Sequence, residues 1–471
     1  MLATTRPSRE TPAEFVEPVH SHTLLVFVLG AMPSLLWALW GADYLTDDFV
    51  VAMWFEEKGI VEAVRDIAFR RPGRPLAGFY YLFIYQGIGD VPALQAVWLG
   101  VVNGAMAAAV LRTSLLFVGA RTALLGGLLI AVVPNHATAR LWFVVGSYVV
   151  SIIIVCAATQ ILWRKRWLVG STLLFASAVL LYEGVIGLAL VAAAWWAWSN
   201  KSWRDGAIVL AGPVLAALLM LFLSPKASGA RLAAIDTIAH GLFGEGLWGA
   251  GLPGLIGLVA MLGLIVWSAV SLVPKYHRPR DCFDRELRRA VAVTFVAAAP
   301  LAYVSLIFGS GGINDRNNLV PSVGIAFIVA AALQQIWNRN RGFGNALAVS
   351  VVVLFAVLNV TDTNDYVEAV RDGEVVTQRV LADIDPSGGL VLVGPPLDGG
   401  RGMEQFILQE DLRASLLLRN GSQWRQVWMY KDATSCRELN DRFGDDAETV
   451  SFYDWRSRST VQFEDRHCDT G

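Results

Sequence analysis

The sequence predicts a polytopic α-helical membrane protein with about 11 transmembrane helices and a small soluble α/β domain at its C-terminal end. Of the 471 residues, 55% are hydrophobic and 17% are charged, whereas soluble globular proteins are about 25% charged. The apolar residues are gathered in blocks of roughly 15 to 24, close to the ~20 that a helix needs to cross a bilayer. The last part of the chain is richer in Asp, Glu and Arg, which indicates a separate domain outside the membrane.

The apolar blocks indicate helices, because Leu, Val, Ala and Ile follow one another in them without alternation. Helices also satisfy their own backbone hydrogen bonds, as a segment in lipid must. The predicted spans are 23–42, 92–111, 120–134, 146–163, 167–182, 184–199, 206–223, 249–273, 289–308, 319–337 and 343–360.

A further apolar segment, 74–85, is short and rich in Tyr and Phe. Aromatic amphipathic segments of this kind are typical of helices that lie along the membrane surface. We therefore expect an interfacial helix inside a long first outer loop, 43–91. If this segment crossed the bilayer instead, every later loop would change side.

The distribution of basic residues predicts the orientation. With the N-terminus inside, the inner loops hold about twice as many Lys and Arg residues as the outer loops, which fits the positive-inside rule. The prediction is a cytoplasmic tail 1–22 leading into an uncleaved anchor, a membrane domain 23–360, and an extracytoplasmic domain 361–471. The location is the cytoplasmic (inner) membrane.

The C-terminal region carries the patterns of a small mixed domain. A strand is predicted at 390–396, a helix at 403–418 and a second strand at 424–430. Cys436 and Cys468 both lie in this region, and an oxidising compartment would allow a disulfide between them. Two free thiols are an equal alternative.

The most unusual polar feature is the acidic pair Asp47-Asp48, just beyond the first predicted span. Carboxylates near the bilayer cost free energy unless they are solvated, paired or used in function. The net charge of −2 gives no indication of nucleic-acid binding, and the four cysteines show no metal-binding spacing.

Several short motifs follow one another in an informative order. They are Asp47-Asp48, Arg74-Pro75-Leu76, the Pro134-Asn135-His136 turn with the segment 139–146, Tyr182-Glu183, and the Arg-Asn-Asn-Leu-Val-Pro segment 316–321. In this order the chain, over about residues 20–340, resembles the GT-C superfamily of integral-membrane glycosyltransferases, which includes protein O-mannosyltransferases and the lipid A aminoarabinose transferase. The chain lacks the His-Pro-Pro motif of some relatives, and its C-terminal domain matches none that we can name.

The resemblance implies that a sugar is moved from a polyprenyl-phosphate carrier to a glycan, lipid or protein acceptor on the outer face. Asp47 would be the general base, since a carboxylate can take the proton of the attacking hydroxyl. Asp48 would orient Asp47 or bind a divalent cation, Mg or Mn, through oxygen ligands. Arginine pairs well with phosphate oxygens. The candidates for the donor phosphate are Arg70, Arg71, Arg74 and Arg316, and the other candidate site residues are Tyr182, Glu183, His136, Arg140 and His240.

Each candidate also has a structural interpretation. The acidic pair is suited to the N-terminus of a helix that starts near Phe49. The basic candidates would equally anchor lipid headgroups, and Arg316 would pair with Asp315. Glu183 would hold a structural hydrogen bond, and His136 and Arg140 would shape an outer turn.

Two other functions use the same architecture. A transporter or lipid-carrier flippase would place charges within the spans and carry paired broken helices. A scaffold would use the membrane domain only to present residues 361–471. The predicted spans hold few charges and the polar residues cluster on one face, so we expect a transferase.

Overall fold

The computed structural model describes residues 16–45, 47–69, 74–133, 138–223, 319–383, 389–393, 414–416, 418, 426–430, 450–454 and 459–461. Five of the described helices are long and apolar enough to cross a membrane, over His22–Trp40, Pro92–Ser114, Gly146–Lys165, Trp203–Met220 and Arg341–Ala382. The predicted spans 249–273 and 289–308 lie outside the described residues. The number eleven therefore stays a prediction.

The long helices follow the predicted spans closely at most ends. Leucine, valine and alanine predominate in their interiors, and most of the basic residues lie at their ends and in the turns between them. Their bounds are α1 Val16–Trp40, α5 Pro92–Ser114, α6 Ala120–Val132, α8 Gly146–Lys165, α9 Leu168–Leu181, α10 Ile186–Asn200, α11 Trp203–Leu223, α12 Leu319–Arg339 and α13 Arg341–Asp383. A short helix, α7 Thr138–Leu141, precedes α8.

The described residues of segment 43–91 form three short helices, α2 Asp47–Lys58, α3 Ile60–Phe69 and α4 Ala77–Leu82, and a π-helical turn, Phe83–Ile88. At 1.5 Å per residue, α4 and its π-helical turn extend about 18 Å, well short of the ~30 Å of bilayer hydrocarbon. Phe79 and Phe83, four residues apart on one face, are exposed by 60% and 44%. The position of this segment along the membrane surface stays a prediction.

Helices α1 and α5 pack closely through small residues. Gly100 and Gly104 of α5 have the spacing that lets membrane helices approach each other. A Cβ atom on Gly104 would lie 2.6 Å from the carbonyl oxygen of Phe27, and one on Gly100 would lie 3.2 Å from that of Ala31. The absence of side chains at these two positions therefore sets the distance between the helices.

We expect Gly104→Val to destabilise the protein by about 1–3 kcal/mol, because the new side chain overpacks a tight interface. Equilibrium unfolding in mixed detergent and SDS micelles would measure this change. Ala93→Val, on an exposed turn of the same helix, is the matched control and should leave the unfolding free energy unchanged. Equal effects of the two substitutions would contradict the interface.

Helix α13 is much longer than the span predicted at 343–360, and it runs without a break to Asp383. The apolar run ends near residue 360, but the helix continues because its polar part finds packing partners. Tyr366 stacks on Trp37 of α1 with ring centroids 5.9 Å apart, and Arg371 donates to the carbonyl oxygen of Trp40 at 3.4 Å. The predicted domain boundary at 360/361 is therefore not a helix end.

The C-terminal region contains a four-stranded mixed sheet of β1 Gly389–Val393, β2 Gln426–Tyr430, β3 Val450–Asp454 and β4 Ser459–Val461. The strand order is β2-β1-β3-β4. Strand β1 pairs in parallel with both β2 and β3, and β4 is antiparallel to β3. The first two strands overlie the predicted ones. Of the predicted helix 403–418, the described residues 414–416 and 418 are helical.

One end of the helical bundle is strongly basic. We call this the basic end, and it comprises the turns and helix termini at 111–122, 162–168, 197–207 and 333–345. Asp205 is the single carboxylate within these ranges, all of which the structure describes, and the cations are Arg112, Arg121, Arg164, Lys165, Arg166, Lys201, Arg204, Arg339 and Arg341. The acidic pair lies at the opposite end, near the C-terminus of α1.

Candidate active site

Asp48 is fully buried and accepts four hydrogen bonds. Oδ1 accepts from the Tyr85 hydroxyl at 2.9 Å and from the Val144 N–H at 2.9 Å. Oδ2 accepts from the Leu45 N–H at 3.2 Å and from the Phe143 N–H at 3.3 Å. One carboxylate thus links the start of α2, the π-helical turn Phe83–Ile88 and the turn before α8.

The donors of Asp48 are available because of where helices begin. Phe143 and Val144 lie in the turn before α8, where N–H groups have no partner within the helix. A negative charge at a helix N-terminus is also favoured by the helix dipole. Asp47 and Asp48 are the first two residues of α2, at the helix start where the capping interpretation places them. Asp48 also binds the N–H of Phe143, in a turn 95 residues away.

Burial raises the pKa of Asp48 from 3.8 to about 7, because the charged form loses its hydration. The hydrogen bonds from Val144, Tyr85, Leu45 and Phe143 act in the opposite direction and favour the ionised form. The carboxyl group is therefore set to change its charge near neutral pH.

This shift predicts a pH dependence of stability. Because the folded-state pKa of Asp48 is raised, its contribution to stability is full below about pH 4 and is lost as the pH rises through about 7. The difference in unfolding free energy between wild type and Asp48→Asn should therefore change between pH 4 and 7 and become constant above pH 8. A difference that is constant over the whole range would contradict the raised pKa, and Glu57→Gln, at an exposed position of the same helix, is the control.

Arg74 and Glu183 form a buried ion pair. Nε of Arg74 donates to Oε2 of Glu183 at 2.8 Å, and Nη2 donates to Oε1 at 2.6 Å. The third nitrogen, Nη1, donates to the Tyr148 hydroxyl at 2.7 Å. Such two-pronged geometry is the strongest form of a charge-assisted hydrogen bond. Glu183 lies between two apolar runs and needs a charged partner. That partner is Arg74.

Aromatic rings cover this ion pair. Tyr148 and Tyr182 are stacked with ring centroids 3.7 Å apart and planes within 4°. The guanidinium of Arg74 lies 4.9 Å from the centroid of Tyr148 and 5.2 Å from that of Tyr182. Tyr182 thus serves as a wall for the cation, and the two rings exclude water from the pair.

Asp47 differs from its neighbour because it is partly exposed. The hydroxyl of Tyr81 interacts electrostatically with Asp47, and it also interacts with Arg74 and Tyr148. Tyr81 is therefore near both Asp47 and Arg74. The structure brings together five of the candidate residues, Asp47, Asp48, Arg74, Tyr182 and Glu183, and adds Tyr81, Tyr85 and Tyr148 around them.

Arg140 occupies a different place, at the C-terminus of α6. It is buried, and its Nη2 donates to the carbonyl oxygens of Val133 at 2.8 Å and Ile130 at 3.3 Å. Its Nη1 donates to the side chain of Asn359 on α13, which in turn donates to the carbonyl oxygen of Val132. These contacts cap the C-terminus of α6, and the predicted turn at 134–136 lies outside the described residues.

The remaining candidates Arg70, Arg71, His136, His240 and Arg316, together with Cys436 and Cys468, lie outside the described residues. Three of the five N–H groups of Arg74 donate to Glu183 and Tyr148, so a donor phosphate would share this guanidinium with both residues. The proposed phosphate contact of Arg74 therefore has a structural competitor.

A divalent cation does not fit Asp48 as it is arranged. A carboxylate has about four acceptor directions, and four donors already occupy them. In the described part of the chain, no group of three or more His, Cys, Asp or Glu side chains is close enough to hold a metal ion. We derive no step that requires a metal.

Sequence reasoning missed Tyr81, Tyr85 and Tyr148 as parts of the site. The first two lie in the aromatic segment 74–85, where they were interpreted only as interfacial residues. Their spacing of four places both on one side of a helix, which is the signal that would have found them. Tyr148, at the start of a predicted span, carried no comparable signal.

No protein-family model matches the sequence, and no curated protein matches it. The structure is similar to the crystal structure of ArnT from Cupriavidus metallidurans bound to undecaprenyl phosphate. The two chains are 12% identical, the TM-score is 0.46, and the similarity covers 94% of this chain and 90% of that chain.

Proposed function

We propose that this protein is a membrane glycosyltransferase that moves a sugar from a polyprenyl-phosphate carrier to an acceptor on the outer face of the membrane. The proposal rests on the different environments of the two carboxylates in the acidic pair. Asp48 is buried and held by four donors, while Asp47 is partly exposed beside it. Asp48 is thus fixed in place, and Asp47 has access to a reacting hydroxyl.

The reaction follows from this arrangement. Asp47 takes the proton of the acceptor hydroxyl as its oxygen forms a bond to the anomeric carbon of the sugar. The bond from the anomeric carbon to the phosphate oxygen breaks, and the polyprenyl phosphate leaves with both electrons. Attack from the face opposite the phosphate inverts the anomeric configuration. Asp48 positions the start of α2, and with it Asp47.

The leaving phosphate needs positive charge near it. Arg70 and Arg71 directly precede the loop segment that carries Arg74 and are proposed to bind it, with Arg316 as a further candidate. Arg74 itself is proposed to hold Glu183 and the tyrosines in place. The basic end of the bundle would then face the cytoplasm and the site the outer side, as the positive-inside rule requires.

Purified protein in liposomes tests the proposal directly. With a polyprenyl-phosphate-linked sugar and a panel of glycan, lipid and protein acceptors, we expect a glycosylated product and free polyprenyl phosphate in equal amounts. Saturable movement of the carrier or of a solute across the liposome membrane, without a covalent product, would overturn the proposal in favour of a transporter or flippase. The same mixture without acceptor is the control for simple hydrolysis.

A further inference from the structure

A cavity of about 140 Å³ lies inside the helical bundle, away from the acidic pair and toward the basic end. Five helices line it, α5, α6, α8, α10 and α12, and its apolar wall includes Val110, Ile152, Val155, Ala192, Val323 and Phe327. Apolar cavities of about 150 Å³ in proteins stay dry and take up molecules of the size of benzene. This cavity therefore has room for a short length of hydrocarbon chain.

Three hydroxyl groups in the cavity wall donate hydrogen bonds to backbone carbonyl oxygens. Thr159 donates to the carbonyl oxygen of Val155 at 2.7 Å, and Ser114 donates to that of Leu111 at 2.8 Å. Thr113 donates to the carbonyl oxygen of Cys156 at 3.4 Å. These hydroxyls are satisfied within the protein, so the wall offers mostly carbon to a ligand.

Part of the cavity wall is exposed at the surface of the bundle. Phe117 and Val118, in the turn after α5, line it and are partly exposed, as are Val191 and Trp195 of α10. A chain that enters here comes from the leaflet on the basic side of the bundle. Its headgroup then lies among the residues of these turns.

Two cations lie close together at the basic end. Arg121 directly precedes Thr122, a lining residue, and its guanidinium lies 3.9 Å from the ring centroid of Trp337. Arg341 lies 5.2 Å from the centroid of the same ring. Two cations on one indole repel each other unless an anion lies near, and within the described basic end the one carboxylate, Asp205, is on a different turn.

We propose that this face binds an anionic phospholipid, with one acyl chain in the cavity and the headgroup phosphate on Arg121 and Arg341. Arginine matches phosphate oxygens, and each basic residue near an anionic membrane surface strengthens lipid binding about fivefold. The ligand is a structural lipid of the cytoplasmic leaflet, distinct from the sugar donor. The inference does not depend on the proposed transferase activity.

Photocrosslinking in liposomes of defined composition tests it. Phosphatidylglycerol and phosphatidylcholine, each with a diazirine near the end of one acyl chain, are presented separately, and mass spectrometry locates the adducts. We expect the phosphatidylglycerol probe to label residues 110–118 or 152–159, with a yield at least about fivefold above that of phosphatidylcholine. Arg121→Gln should lower that yield about fivefold, and Ala192→Phe should remove the adducts by filling the cavity.

Two matched controls accompany these variants. Arg204→Gln removes an exposed charge from the same end of the bundle, and Ala157→Phe adds the same ring to an exposed position of α8. Both should keep the wild-type labelling. If Ala192→Phe does not fold, Arg121→Gln and the comparison of the two lipids decide the matter, because Arg121 is partly exposed.

Three results would overturn the proposal. The first is the absence of adducts in the cavity from either probe. The second is equal labelling by the two lipids together with no effect of Arg121→Gln. The third is displacement of the phosphatidylglycerol probe from the cavity by a polyprenyl phosphate, which would assign the cavity to the carrier chain instead.

Discussion

Asp47→Asn is expected to lower the rate of sugar transfer by about 10²- to 10⁴-fold, which is the usual contribution of a general base. The amide has the shape of the carboxylate but cannot accept the proton of the acceptor hydroxyl. Because Asp47 is partly exposed and lies in the first turn of α2, loss of its charge should cost the helix less than about 1 kcal/mol. Transfer assays and unfolding curves on the same preparation measure the two effects.

Asp48→Asn should behave in the opposite way. An amide has one acceptor oxygen, and its NH₂ group would face two of the N–H or O–H donors that the carboxylate now satisfies. Leaving buried donors without acceptors costs about 1–3 kcal/mol each, so we expect a loss of about 2–4 kcal/mol in stability. Glu57→Gln, on the same helix, should change neither quantity.

The pair of substitutions separates catalysis from positioning. Full transfer by Asp47→Asn would end its assignment as the base. If Asp48→Asn were as stable as wild type but inactive, the base would be Asp48, and the four hydrogen bonds would serve its ionisation rather than the fold.

Glu183→Gln is expected to destabilise the protein by about 3–5 kcal/mol, because it leaves the Arg74 guanidinium buried without a counter-charge. The double substitution Arg74→Met with Glu183→Leu should recover much of this loss, since a packed apolar pair can replace a buried ion pair at little cost. Equilibrium unfolding of Arg74→Met, Glu183→Leu and the double variant gives the coupling between the residues.

The surface pair of Arg65 and Glu62 supplies the control. It has an N–O distance of 3.1 Å, and both side chains are more than half exposed. Glu62→Gln should therefore cost less than about 1 kcal/mol. An equally small effect of Glu183→Gln would contradict the buried pair. Normal transfer by the folded double variant would show that Arg74 is dispensable for phosphate binding.

The helices could be predicted from the sequence because burial in lipid is a property of composition along a short stretch. Pro92–Ser114 and Gly146–Lys165 begin at the residues where the predicted spans begin. Helix α13 could not be predicted in full, since its extension beyond residue 360 depends on contacts of Tyr366 and Arg371 with α1. Those partners are more than 300 residues away in sequence.

The site was predictable in type but not in detail. Asp47 and Asp48 are neighbours in sequence, yet successive residues of a helix point about 100° apart, so one side chain turns inward and the other does not. Which of them is buried depends on Tyr85 and on the turn at Phe143 and Val144. The need of Glu183 for a partner was clear from its apolar flanks, but the choice of Arg74, 109 residues earlier, follows only from the fold.

Helix α13 has a mechanical consequence. A continuous helix from Arg341 to Asp383 is about 64 Å long at 1.5 Å per residue, so a tilt of about 5° at its base moves its far end by about 5 Å. Asn359, near the middle of this helix, forms hydrogen bonds with the Arg140 side chain and with the carbonyl oxygen of Val132 at the end of α6. A force applied to the chain beyond Asp383 would therefore be transmitted along this one rigid helix to Arg140 and the C-terminus of α6.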